Sequence, residues 1–190
     1  MKRGYLMKSI GMHHQGAMYA VNLSEEEIVP HLSSCDEVNI ASVNSPKQCV
    51  LSGGVDAVNK ICDQLRESYP NMTFTRLNTQ VAYHSFMMDS VLEEFTKFFD
   101  GISLKEPQIP IVSTLYGTWL KATDATSVSY WTKHLRHTVQ FSKGLTTLAS
   151  NVNYRNAIFL DVGPSGVLTS MTKLQLPHAD TQVTIPLMRK

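Results

Sequence analysis

VNIASVNSPKQCVLSGG, running from Val38 to Gly54, is the stretch that decides the fold. Val38 to Val43 and Gln48 to Leu51 are two β-rich runs, and Asn44-Ser45-Pro46-Lys47 between them has the composition of a tight turn. The stretch therefore predicts a hairpin ended by Ser52-Gly53-Gly54. Upstream, Gly16 to Val21 reads as a strand, and Ser24 with Glu27 makes a capping box that starts a helix through about Leu32. Glu25, Glu26 and Glu27 favour that helix start and are read as a solvated first turn. Downstream, Val55, Val58, Ile61, Cys62 and Leu65 lay an apolar stripe along a helix to about Tyr69, which Pro70-Asn71 stops, and Phe74 to Thr79 is a last strand. The order strand, helix, strand, strand, helix, strand is the split βαβ pattern of a ferredoxin-like unit, here residues 16–80. Such units host many functions, so the order carries no chemistry of its own.

Outward from this unit the pattern changes. Residues 1 to 10 read as the last turns of a helix with no capping residue before it, one hint that the sequence is cut from something longer; an initiator-like Met1 points weakly the other way. Beyond Thr79, VAYHSFMMD from Val81 to Asp89 leads into an amphipathic helix from about Met87 to Phe99, with Met88, Val91, Leu92, Phe95, Phe98 and Phe99 at helical spacing. Then follow an apolar strand Ile109 to Ser113, a turn at Tyr116-Gly117-Thr118, and helices over Ser129 to Arg136 and Phe141 to Ala149. A strand Ala157 to Val162 runs into Gly163-Pro164-Ser165-Gly166 and a short helix to about Lys173. Two strands alternating with helices suggest part of a larger parallel sheet, too small to close by itself.

Composition excludes some classes of function. Seventeen basic against sixteen acidic residues leave a formal charge of +1, without the overall footprint of a nucleic-acid or membrane-surface binder. No apolar run approaches a membrane span, and the first residues are too broken by charge for a secretory signal, so a cytoplasmic setting is expected. Cys35, Cys49 and Cys62 form neither a CxxC pair nor an even framework and are expected to be reduced thiols. Among 190 residues, 43% are apolar, enough for a real core.

His84 is the candidate site residue, because it lies at a strand-to-helix junction, where a rigid scaffold displays side chains. Six other histidines dilute that signal. His13-His14 is a tandem pair whose side chains point apart, so no metal site is expected there. Asn44 is most simply a turn former, and Arg3, taken alone, a terminal surface charge. Lys133, His134, Arg136 and His137 read either as a solvated helix face or as a contact for an acidic partner.

Several of these segments resemble, in order and over nearly the whole chain, the malonyl-CoA:acyl carrier protein transacylase family, most closely the acyltransferase domains of modular polyketide synthases. They are Arg3-Gly4-Tyr5-Leu6-Met7, Gly16-Ala17-Met18, Asn44-Ser45-Pro46 with Val50-Leu51-Ser52-Gly53, and Ala82-Tyr83-His84-Ser85 with Met87-Met88-Asp89. Gly117-Thr118-Trp119, Tyr130-Trp131 with His134-Leu135-Arg136, Val139-Gln140-Phe141 and Leu160-Asp161-Val162-Gly163-Pro164 continue the match. The resemblance implies an α/β fold: a ferredoxin-like βαββαβ subdomain (16–80) followed by part of an α/β-hydrolase-like parallel-sheet subdomain (81–190), with residues 1–15 as the end of a large-subdomain helix carrying the arginine. It implies ping-pong acyl transfer from a coenzyme A thioester, as substrate and without a bound cofactor, to the phosphopantetheine thiol of an acyl carrier protein, beside neighbouring synthase domains. His84 falls on the general base, oriented in the family by a backbone carbonyl, with a pKa near neutrality suiting the task. Arg3 falls on the arginine that grips the free carboxylate of malonyl-type substrates, for which a planar guanidinium is suited. The loop of Asn44 approaches the cleft in the family. Val81-Ala82-Tyr83-His84 stands where malonyl enzymes tend to read His-Ala-Phe-His and methylmalonyl enzymes Tyr-Ala-Ser-His; aromatic Tyr83 favours malonyl, while Val81 matches neither.

One departure limits the reading. The family's nucleophile lies in a Gly-His-Ser-x-Gly elbow upstream of the arginine helix, and neither that elbow nor an earlier Gly-Gln-Gly segment occurs here. Ser165, in Gly-Pro-Ser-Gly, lacks the spacing of a replacement. The chain is thus expected to be roughly the C-terminal two thirds of an acyltransferase and silent by itself. A non-catalytic ferredoxin-like binding or docking module is the alternative.

Overall fold

A computed structural model describes residues 2–11, 15–152, 157–176 and 183–188. After helix α1 (Lys2–Ile10) come β1 (Gly16–Val21), α2 (Glu25–Leu32), β2 (Val38–Ser45), β3 (Gln48–Gly54), α3 (Val55–Ser68) and β4 (Phe74–Arg76). The four strands form one antiparallel sheet in the order β2-β3-β1-β4, the arrangement that a split βαβ pair dictates. Side-chain alternation sends Ala17 and Val21 of β1, and Cys49 and Leu51 of β3, to a core shared with Val58, Ile61, Cys62 and Leu65 of α3. Met18 and Val50 face the other way, into a smaller apolar cluster with Ala41. At the head of α2 the Ser24 side chain accepts from the Glu27 backbone N–H and the Glu27 carboxylate from that of Ser24, so both halves of the capping box are present.

Strand β2 departs from simple pleating. Ile40 pairs with Leu51, Ser42 with Val50, Val43 with Cys49 and Ser45 with Gln48, so Ala41 and Asn44 are extra residues at two bulges. The turn is only Pro46-Lys47, and Asn44 belongs to the strand, not to the turn its composition suggested. Because the first bulge shifts the phase by one residue, Ile40 and Val43 both reach the main core while Ala41 is released to the opposite face. The last strand is shorter than its pattern, since Leu77 N–H donates to Met18 O and Thr79 N–H to Leu77 O, a tight turn that redirects the chain after Arg76.

The remaining elements are a 3₁₀ turn (Phe86–Met88), α4 (Asp89–Lys97), β5 (Val112–Ser113) paired with β6 (Thr118–Trp119), α5 (Ala122–Ala125), α6 (Val128–Arg136), α7 (Phe141–Ala149), β7 (Ile158–Asp161), α8 (Val167–Gln175) and β8 (Val183–Pro186). Ser85 caps the 3₁₀ turn by accepting from Met87 N–H, and α4 starts at Asp89, two residues after the start expected at about Met87. The strand expected from Ile109 keeps only Val112 and Ser113; Pro110, with no N–H to donate, precedes it, and Ile109 is 78% exposed. Helices α1, α4 and α6 build a second core from Leu6, Ile10, Val81, Met88, Val91, Phe95 and Leu135. Strand β7 pairs in parallel with β8, a strand the sequence pattern does not announce, whereas β5, the remnant of the other expected strand, pairs antiparallel with β6. Asp161 ends β7 and accepts from Thr169 N–H, Thr169 Oγ1 and Gly163 N–H; these bonds, that from the Thr169 backbone foremost, hold its carboxyl below the usual range.

Two junctions join the antiparallel sheet to the rest. Gly16 N–H donates to Gln80 O at 2.8 Å, and a Cβ at Gly16 would stand 2.6 Å from Ala82 N, so only glycine permits this approach. On the far side, residues 137–140 lie along β2: Val139 N–H donates to Ala41 O, Val43 N–H to Val139 O, and Thr138 Oγ1 to Ile40 O. Replacement of Gly16 by Ala should destabilise the chain by about 1–3 kcal/mol through this overlap, read as a lowered midpoint of urea unfolding. A change below about 0.5 kcal/mol would mean that the segment bearing Ala82 yields freely.

Candidate functional site

His84 occupies the left-handed region, with φ of 56°, the one non-glycine residue to do so among those described. That conformation costs a non-glycine residue free energy and persists where neighbours enforce it. Here they are close at hand: Val81 N–H donates to Thr79 Oγ1, Ser85 Oγ to Ala82 O, and Phe86 N–H to Asn39 Oδ1 of β2. The imidazole Nδ1 stands 2.9 Å from His137 O. A carbonyl can only accept, so Nδ1 carries the hydrogen and Nε2 keeps its lone pair. Burial foremost, with the charges of Arg3 and His134, pushes the His84 pKa down to about 4 against the opposing pull of the His137 carbonyl. This is well below the near-neutral value expected for the base, because the ring is half-buried beside a cation that no described carboxylate neutralises.

That cation is Arg3. Its guanidinium is half-buried on α1, and among the described residues no carboxylate pairs with it, whereas neighbouring Lys2 pairs with Glu94. Burial lowers its pKa. Arg3 Nη1 lies 3.2 Å from His134 Nδ1, and His134 Nε2 lies 3.0 Å from Thr114 Oγ1.

A mainly apolar pocket of about 410 Å³ opens at His84. Tyr83 and Asn44 line it together with Met7, Met18, Leu168 and Met171. Asn44 is 8% exposed and reaches the wall through its bulge, beside Ala41 and Ser42. Tyr83 bridges the smaller sheet cluster and the α1–α4–α6 core. Val81 is not on the wall; it is buried in that core, behind Tyr83. Arg3 approaches the histidine outside the pocket lining.

The sequence singles out neither His134 nor Thr114; a backbone carbonyl beside His84 is what the resemblance implies, without naming His137 as its source. His134 was grouped with a basic face, but its ring turns inward against Tyr130 and Trp131, and Arg136 pairs with Asp89 at 2.7 Å. The i, i+4 spacing of Tyr130 and His134 is a usable signal; which residue gives the carbonyl leaves none. Ser165 is exposed on the bend before α8, and no described serine is hydrogen-bonded to His84. His13 and His14 lie outside the described residues, among which no group of three or more His, Cys, Asp or Glu could hold a metal ion. No helix among them is long and apolar enough to cross a membrane.

The acyl transferase domain family matches residues 1–190. The chain is 37% identical to mycoketide-CoA synthase of Mycobacterium tuberculosis over 182 residues, which are 96% of this chain and 4% of that protein. Among solved structures, the acyltransferase domain from the second module of the salinomycin polyketide synthase superposes with a TM-score of 0.89 at 34% identity, covering 99% of this chain and 42% of that one. The acyltransferase domain of SpnD, solved in complex with 2-(pent-4-yn-1-yl)malonyl, gives 0.86 at 30% identity, covering 99% and 43%. The chain thus spans a few per cent of the length of the synthases it matches and under half of these solved domains.

His84 should titrate near pH 4 by NMR and stay neutral at pH 6. An unfolded histidine titrates near 6.5, so between about pH 6.5 and 4 the unfolded chain binds a proton that the folded chain refuses. Stability is therefore expected to fall as pH drops through that window. The fall between pH 7 and 5 should be smaller in His84→Gln, measured by urea unfolding at both values; an equal fall would contradict the shift.

Proposed function

Since this chain belongs to the acyl transferase domain family, the family of polyketide synthase acyltransferases, we propose that it carries the base and the carboxylate clamp of a malonyl-type acyl transfer. The observation that supports this most directly is the pairing of an oriented, neutral His84 with a half-buried Arg3 that no described carboxylate neutralises. In the proposed reaction His84 Nε2 takes the hydroxyl proton of a serine as that oxygen attacks the thioester carbonyl. The C–S bond breaks, and the proton passes from His84 to the coenzyme A thiolate as it leaves. The second half repeats these steps in reverse order, with the phosphopantetheine thiol of an acyl carrier protein taking the acyl group. Arg3 holds the free carboxylate through paired N–H donors. A carboxylate seated there offsets the charge that depresses the His84 pKa and so brings the base toward the range in which it works.

The same reading divides the chain into the arginine-bearing end of a helix (1–15), a ferredoxin-like small subdomain (16–80) and the C-terminal part of the large subdomain (81–190), acting in the cytoplasm beside other synthase domains. It assigns substrate contacts to Tyr83 and Asn44, with Val81 backing Tyr83. The phenol ring of Tyr83 fills the place that an α-methyl group needs, which favours malonyl over methylmalonyl. A binding or docking module without catalysis has less support, because it has no need of a half-buried guanidinium, without a carboxylate partner among the described residues, beside a strained histidine.

The serine is not among the 190 residues as a Gly-His-Ser-x-Gly elbow, so the chain alone is expected to be silent. Intact mass after incubation with malonyl-CoA should remain unchanged; a stable acyl adduct would overturn this. In a complete enzyme carrying this sequence, Tyr83→Ser should admit methylmalonyl-CoA. An unaltered product ratio would remove Tyr83 from the specificity wall.

A further inference from the structure

We infer that His134 is the positioning residue for Arg3: a neutral imidazole whose Nδ1 accepts from the guanidinium while Thr114, accepting from Nε2, fixes the tautomer. The inference rests on Arg3 as the carboxylate clamp and adds what aims it. An arginine has several rotatable bonds, and a half-buried one without a carboxylate partner is free to turn toward water unless something holds one N–H and leaves the rest free. A carboxylate in that place would neutralise the cation and compete with a substrate carboxylate. A neutral ring nitrogen orients the guanidinium without cancelling its charge.

The tautomer is what makes this work. Arg3 has only donors, so His134 Nδ1 must be the acceptor, and the ring hydrogen must sit on Nε2. Thr114 Oγ1, 3.0 Å away, receives that hydrogen. A protonated ring would have donors at both nitrogens and would lose the bond to Arg3. Burial, and then the Arg3 charge, lower the His134 pKa and keep it neutral. Its ring packs at a tilt against Tyr130 and Trp131 of the same helix, with centroids 6.0 and 6.2 Å away, and Tyr130 is itself fixed by Ser113 Oγ at 2.8 Å. Thr114 serves both functional groups: its side chain fixes His134, while its carbonyl accepts from Gln140 N–H at 2.6 Å, three residues after the carbonyl that holds His84.

The test uses the 190-residue chain, with malonyl-CoA and acetyl-CoA as probes in calorimetric titration, and ring-nitrogen NMR of the histidines. His134→Ala should reduce the preference for malonyl-CoA over acetyl-CoA by about tenfold, the size of a lost charge-assisted hydrogen bond, and leave acetyl-CoA binding unchanged. His134→Asn, whose amide oxygen can stand where Nδ1 stands, should recover most of that preference. NMR should place the His134 hydrogen on Nε2, and Arg3→Ala should raise its pKa. An Nδ1 hydrogen, or equal loss toward both thioesters in His134→Ala with no rescue by Asn, would overturn the inference. If Arg3→Ala abolishes the preference and His134→Ala does not, the clamp stands and the positioning role fails. If the unsubstituted chain shows no preference, both fail.

Discussion

The site depends on a four-residue run of backbone. His137 gives its carbonyl to the His84 ring, Thr138 and Val139 bind the edge of β2, and Gln140 binds Thr114. Backbone groups buried at a junction must find partners, and here the partners come from the antiparallel sheet on one side and the helical half on the other. The orientation of His84 is thus set by how the two halves meet and not by a neighbouring side chain. Gly16 performs the matching task at the other end, letting β1 press against the segment that leads to the histidine.

Electrostatics couples the two candidate residues. Burial foremost, with the Arg3 charge beside it, lowers the pKa of both His84 and His134, and none of the three has a carboxylate partner among the described residues. A cluster of one cation and two neutral rings, half removed from water, is a poor structural device, since a buried ion pair or an apolar core is more stable. It is a suitable receptor for an anion.

Most of the antiparallel half was legible in the sequence because its signals are local. Ser24 and Glu27 fix a helix start, and alternating apolar residues in β1 and β3 fix the buried face. Asn44 was misplaced because a turn-forming composition and a bulge at a strand end look alike until pairing is known. Ile109 was drawn into a strand by its β propensity, which counts for little where Pro110 breaks the ladder. The large half was legible mainly through resemblance, since its short strands and α7 and α8 meet only through long-range contacts. His134 stayed hidden because one residue type serves equally as a solvated surface group and as a buried acceptor, and only the place of Arg3 separates the two.

The first bulge of β2 has a consequence for how such chains tolerate change in length. Between Ile40 and Val43 the strand holds one residue more than its partner, and both flanking residues pack in the main core. In an unbulged strand that extra residue would turn every later side chain over, sending Val43 outward. The bulge takes that residue out of the pairing, so at this point the strand can differ in length from its partner by a single residue while Ile40 and Val43 keep the same buried face.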